Sequence, residues 1–157
     1  MHPKFDPETI GFLVADVARL MRAEFDRRTG ETGLSLTPSE ARALMNVARA
    51  GPVRQSALAE RMGVEAMTLS TFLDRLEARG LVSRSTDPND RRAKLVDVTA
   101  AAEPVLEQIV DIGTAVRADM AGGLSATQLD EFRTILKQIR ANLVAMRPDC
   151  QKAGAGA

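Results

Sequence analysis

The chain has 157 residues, 45% of them hydrophobic and only 3% aromatic, which suits one compact domain with helical extensions and excludes a large multidomain enzyme. Lys and Arg number 21 and Asp and Glu 21, so bulk charge cannot hold nucleic acid or acidic lipid, and any anion binding must come from local clustering. One Cys and one His leave neither an intramolecular disulfide nor a Cys/His metal cluster, and the longest uncharged run, Met120 to Leu129, is far short of the roughly 20 apolar residues of a membrane span.

No basic, apolar, small-residue signal pattern opens the chain, and a cytoplasmic, reducing setting is expected. Ile10, Leu13, Val14, Val17, Leu20, Met21 and Phe25 recur at steps of three and four, which predicts an amphipathic helix of about four to five turns over residues 5 to 28. Gly30 to Leu36 breaks the period. Thr37-Pro-Ser-Glu40 then carries a capping box with proline in the first turn, so a second helix should run to about Ala50 and stop before Gly51-Pro52. A short third helix is expected from Ser56 to Met62, closed by Gly63. A fourth follows from Glu65 with Leu69, Phe72, Leu73 and Leu76 on one face, closed by Gly80.

Leu81 to Thr86 and Lys94 to Thr99 are β-branched segments that read as two strands, separated by the turn-forming Asp87-Pro-Asn-Asp-Arg-Arg92 as a long polar hairpin tip. Helical periodicity returns over 100 to 120 through Val105, Leu106, Ile109, Val110, Val116 and Met120. The Ser125-x-x-Gln128 box opens a last helix to 146 with Leu129, Phe132, Ile135, Leu136, Ile139 and Leu143. Residues 149–157 are expected to form a flexible tail.

Short helix, glycine turn, helix and two-stranded hairpin make a winged helix-turn-helix, a mainly α fold (α+β) whose second helix enters the DNA major groove. On the fourth helix, the side opposite Leu69 carries Met67, Thr68, Ser70, Thr71, Asp74 and Arg75; these hydroxyls and one methionine can touch base edges and thymine methyls, or can be an ordinary solvated face. Arg91 and Arg92, with Asp90 beside them to hold one in place, can reach phosphates or a narrow minor groove, or form a surface ion pair of little consequence. Residues 37 to 99 hold ten Lys and Arg against eight Asp and Glu, a net +2 where the rest of the chain is slightly negative. Arg54, Gln55 and Ser56 precede and open the third helix, and phosphate binding there stands level with a simple helix start.

The runs Leu58-Ala-Glu-Arg-Met-Gly-Val, Leu76-Glu-Ala-Arg-Gly-Leu-Val-Ser-Arg and Asp87-Pro-Asn-Asp-Arg-Arg-Ala-Lys-Leu-Val-Asp-Val-Thr resemble the winged-helix core of the MarR family of bacterial transcriptional regulators. Leu36-Thr-Pro-Ser-Glu-Ala-Arg-Ala-Leu is similar to that family's second helix, so the resemblance covers about residues 36 to 100. It implies a homodimer with intertwined first and last helices that binds a pseudo-palindromic duplex operator, as a repressor, and responds to small phenolic or lipophilic effectors. Carried over by position, the recognition-helix contacts are Ala66, Met67, Thr68, Ser70, Thr71 and Arg75, and the wing contacts Arg91 and Arg92. Where many members carry arginine this chain has Thr71 or Ala66, which weakens any expectation of guanine readout from this helix.

Three parts are therefore expected: a helical dimerisation region at 1–36 and 100–148, the winged helix-turn-helix at 37–99, and the tail. Apolar stripes beyond the needs of a domain of about 65 residues independently ask for a second copy. The effector is expected at the junction of helices one, two and five, with no residue assigned to it. No catalytic Ser/His/Asp or Cys/His set and no phosphate-binding glycine loop is present, so neither enzyme activity nor a cofactor or metal is expected. Cys150 reads as an inert thiol and His2 as idle, and methionines such as Met21, Met45, Met62 and Met120 read as core filler before pocket lining. The competing reading is a protein-interaction module on the same fold that touches no DNA.

Overall fold

The computed structural model of the chain describes residues 6–146, and the chain divides into two compact units between Arg117 and Ala118. The first unit holds α1 (Ile10–Glu31), α2 (Pro38–Ala50), β1 (Val53–Arg54), α3 (Gln55–Met62), α4 (Ala66–Ala78), β2 (Val82–Asp87), β3 (Asp90–Val98), a 3-10 turn at Ala100–Ala102 and most of α5 (Glu103–Met120). The second holds the end of α5 and α6 (Ala126–Ala145). The expected tail, Cys150 and His2 lie outside the described residues.

Local chemistry explains most helix boundaries. Thr37 Oγ1 accepts the Glu40 N–H (3.3 Å) while Glu40 Oε2 accepts the Thr37 N–H (2.9 Å), closing the box at the start of α2. Ser125 and Gln128 repeat the exchange at α6. Gly63 takes φ 63° and ψ 38°, the left-handed conformation that lets the Val64 N–H reach back to the Ala59 carbonyl (3.1 Å) and turns α3 sharply into α4. The inner face of α4, Leu69, Leu73 and Leu76, is fully buried among Leu44 and Val47 of α2, Leu58 of α3, and Val82 and Val96 of the sheet. Each such side chain contributes about 1.5 to 3 kcal/mol. That burial sets which face of α4 points outward.

Three features depart from the sequence expectations. The helix expected over residues 5 to 28 instead begins at Ile10 and continues through Gly30 to Glu31. Arg27 ties Glu24 and Glu31 on its surface (both 2.6 Å), and buried Thr29 returns its hydroxyl to the Phe25 carbonyl (2.8 Å); these bonds offset the helix penalty of a glycine, about 1 kcal/mol. The sheet has a third strand: β1 pairs with β3 through Val53↔Val96 and Arg54↔Leu95, giving the order β1-β3-β2. Two residues are too few to show an alternating pattern, so this strand exists through its partner.

The expected long hairpin tip is instead a two-residue turn, Pro88-Asn89, flanked by the pair Asp87↔Asp90. Between that pair and Thr86↔Lys94 the register shifts, leaving Arg91, Arg92 and Ala93 without a partner on β2. Arg91 and Arg92 thus sit on a bulge of β3 and not in a loop, and a bulge re-aims the side chains it carries.

Much apolar surface stays uncovered. Ile10, Leu13, Val14, Val17 and Leu20 of α1 are exposed, Ile10 by 70%. In α6 no described residue is buried, and Phe132, Ile135, Leu136, Ile139 and Leu143 share one exposed side. Among the described residues no helix is long and apolar enough to cross a membrane.

Candidate nucleic-acid interface

A groove of about 490 Å³ runs between the start of α4 and the wing. Its walls bring together Arg54, Gln55 and Ser56 from the β1–α3 junction, Ala66, Met67 and Ser70 from α4, and Asp90 and Arg92 from β3. Ala93 and Lys94, which sequence reasoning missed, complete it. Three segments distant in the chain therefore form one surface, because β1 pairs with the same strand that carries the wing.

Four other expected contacts lie elsewhere. Thr68 lines a separate depression with Arg22, Arg42, Arg61 and Phe72. Thr71 is exposed, but its hydroxyl donates to the Met67 carbonyl (3.1 Å). Arg75 lies with Nη1 3.3 Å from Oε1 of Glu40, whose side chain is only 4% exposed. Burial alone would raise the Glu40 pKa, but hydrogen bonds from the Thr37 N–H and Arg75 outweigh it and hold the carboxyl below its ordinary value. The capping-box glutamate of α2 thereby pairs with a side chain of α4. Arg91 is exposed on the bulge, and among the described residues neither Arg91 nor Arg92 has an ion-pair partner.

Asp90 does not hold an arginine side chain; its Oδ1 accepts the backbone N–H of Arg92 (3.1 Å). The anchoring carboxylate is Asp87, also missed from the sequence. One oxygen accepts the Asn89 N–H (2.8 Å), making the turn, and the other accepts from Arg54 Nε (2.6 Å), bolting the wing to β1. The Asp-Pro pair signalled the turn, but nothing local signalled a partner 33 residues away. Arg84 on β2 is the second bolt, with Nη2 2.6 Å from Asp74 of α4 and its side chain 18% exposed.

The Asn89 N–H, opposed by desolvation and reinforced by Arg54, keeps the Asp87 pKa below its reference of 3.8. A carboxyl depressed in the fold adds stability in full above its unfolded value, and that contribution is lost as pH falls through the folded value. The wing should therefore lose this bolt as pH falls through a folded value that lies below 3.8. In a carboxyl NMR titration the Asp87 midpoint should fall below 3.8, and a midpoint at or above it overturns the assignment.

A second cavity, about 240 Å³, lies within the first unit between α1, α2 and α5. Met21, Phe25, Met45 and Val116 give it apolar walls, and Arg22, Arg42 and Arg117 give it positive charge. Arg42 is paired with Asp26, whereas among the described residues Arg117 Nη2 donates only to Thr114 Oγ1 (2.8 Å). Gly113 also lines it, and a Cβ there would lie 3.2 Å from Arg117 Nη1.

Comparison with known proteins gives one consistent result. The pattern of the MarR family matches residues 36–94. The transcriptional regulator PA3341 shares 37% identity and a TM-score of 0.72, over 86% of this chain and 98% of that one. A MarR-family transcriptional regulator from Rhodococcus sp. RHA1 shares 26% identity and a TM-score of 0.70, over 87% of this chain and 96% of that one. BpsR of Bordetella bronchiseptica, whose DNA binding is regulated by 6-hydroxynicotinic acid, is similar in fold, with 22% identity and a TM-score of 0.67 over 88% of this chain and 98% of that one.

Proposed function

Since this chain belongs to the MarR family of transcriptional regulators, we propose that it is a cytoplasmic, homodimeric repressor, not an enzyme, that binds a pseudo-palindromic duplex operator and is released by a small aromatic or lipophilic acid. The observation that carries the DNA reading is the groove: a cation-bearing wing, the start of α4 and the opening of α3 line one surface. Arg91, Arg92 and Lys94 supply phosphate or minor-groove contacts, while Ala66, Met67 and Ser70 face bases. Uncovered apolar residues on α1 and α6 support the second copy, since a lone chain would leave them in water. Two copies would present two such grooves to an inverted repeat.

Selection of bound duplexes from a random library tests this reading. An inverted repeat is expected. Failure to retain any duplex at low salt would leave the protein-interaction module as the function of this fold.

The α1–α2–α5 cavity supports the effector reading, as apolar walls with an arginine whose donors are incompletely used suit an apolar acid. The DNA binding of BpsR is regulated by an aromatic acid, 6-hydroxynicotinic acid. Benzoate and related acids should raise the melting temperature and weaken operator binding, which requires different affinities for the free and DNA-bound spacings of the two recognition helices. Gly113→Ala should raise the baseline melting temperature, since alanine gains up to about 1 kcal/mol over glycine in a helix. It should also shrink the benzoate shift by displacing Arg117. An undiminished shift would place the acid elsewhere.

A further inference from the structure

We infer that base reading by α4 centres on thymine methyl groups and that Met67 is the residue that reads them, a specificity that rests on the DNA-binding reading above. Met67 is 84% exposed, more than any other large apolar side chain among the described residues, and between Ala50 and Ile109 it is the only exposed one. A lone apolar side chain in water is ordinary on a protein surface. This one is set apart by its place on the wall of the groove, where its neighbours are the cations Arg54, Arg92 and Lys94 and the small side chains Ser56, Ala66, Ser70 and Ala93.

The helix also lacks the usual means of reading guanine. Its one cation, Arg75, stands eight residues beyond Met67, about 12 Å along the axis, and is held by the buried Glu40 carboxylate. The Thr71 hydroxyl proton is spent on the Met67 carbonyl. What the first two turns of α4 offer a major groove is therefore the Met67 thioether, the Ala66 methyl and the Thr68 and Ser70 hydroxyls, and Met67 is the one exposed large apolar side chain among them. The major-groove feature that an apolar side chain recognises is the C5-methyl of thymine. Each half-site should carry a thymine under Met67, whose methyl the side chain removes from water.

The test uses the full chain and the duplex it enriches from a random library, resynthesised with deoxyuridine replacing thymidine at one position at a time. Loss of the methyl under Met67 should weaken binding about fourfold per half-site, the worth of one buried methyl-sized group. Met67→Ala should be insensitive to that replacement, and Met67→Leu should stay sensitive. So exposed a side chain leaves folding intact on substitution, which equal melting temperatures would verify. If no deoxyuridine position affects the parent, or Met67→Ala loses as much as the parent at the same position, methyl reading by Met67 is overturned while DNA binding stands. If no duplex is enriched, both fall.

Discussion

Replacing Ile139 or Val17 by glutamate should convert the protein from dimer to folded monomer. Both side chains are exposed in the single chain, Val17 by 43% and Ile139 by 36%, and neither belongs to the buried core. In a symmetric dimer each change occurs twice. Less than half of each side chain is left to bury on association, so the two copies forfeit about 0.6 to 1.2 kcal/mol apiece, which weakens association by roughly one to two orders of magnitude before the larger penalty of a buried carboxylate is added. Sedimentation at micromolar protein should read a parent of two chains and variants of one, with helical circular dichroism retained. A monomeric parent, or variants that sediment as the parent does, would remove the dimer from the proposal.

The second large effect concerns the wing. Binding that depends on Arg91 and Arg92 releases counterions, so the slope of log affinity against log salt should flatten by about 0.9 for each phosphate contact removed. One arginine replaced by alanine in both protomers should change the slope by about 1.8, and both together by about 3.6, on operator and random duplex alike. Ser70→Ala should leave the slope unchanged and lower the preference for operator, by about 1 to 3 kcal/mol if its base contact is direct. Thr71→Ala should change little, because its hydroxyl already serves the helix backbone. Unchanged slopes in the arginine variants would remove the wing from the interface.

Both capping boxes, the glycines that end α2, α3 and α4, and the outward polar face of α4 were legible in the sequence, because each rests on residues within one or two turns of one another. The candidate site was legible as three separate segments, each carrying polar or cationic side chains. Their union was not, since it needs β1, a strand that exists only by pairing with β3. The wing was read as a loop because Asp-Pro-Asn-Asp is rich in turn formers, whereas the pairing of Asp87 with Asp90 confines the turn to two residues and pushes the arginines onto a bulge.

Local preferences thus determined, from the sequence alone, which segments are helical, where α2, α3 and α4 stop and which face of α4 is apolar. Tertiary structure decided which polar side chains remain available. Arg75 and Arg54 have the same chemistry as Arg91 and Arg92, yet packing of α2 against α4 gives Arg75 the Glu40 carboxylate, and pairing of β1 with β3 gives Arg54 that of Asp87. Those partners lie 35 and 33 residues away, so no spacing rule could have found them. The physical reason is that ion pairing depends on distance in space, and in this chain only burial of the leucines of α4 and closure of the sheet bring those charges together.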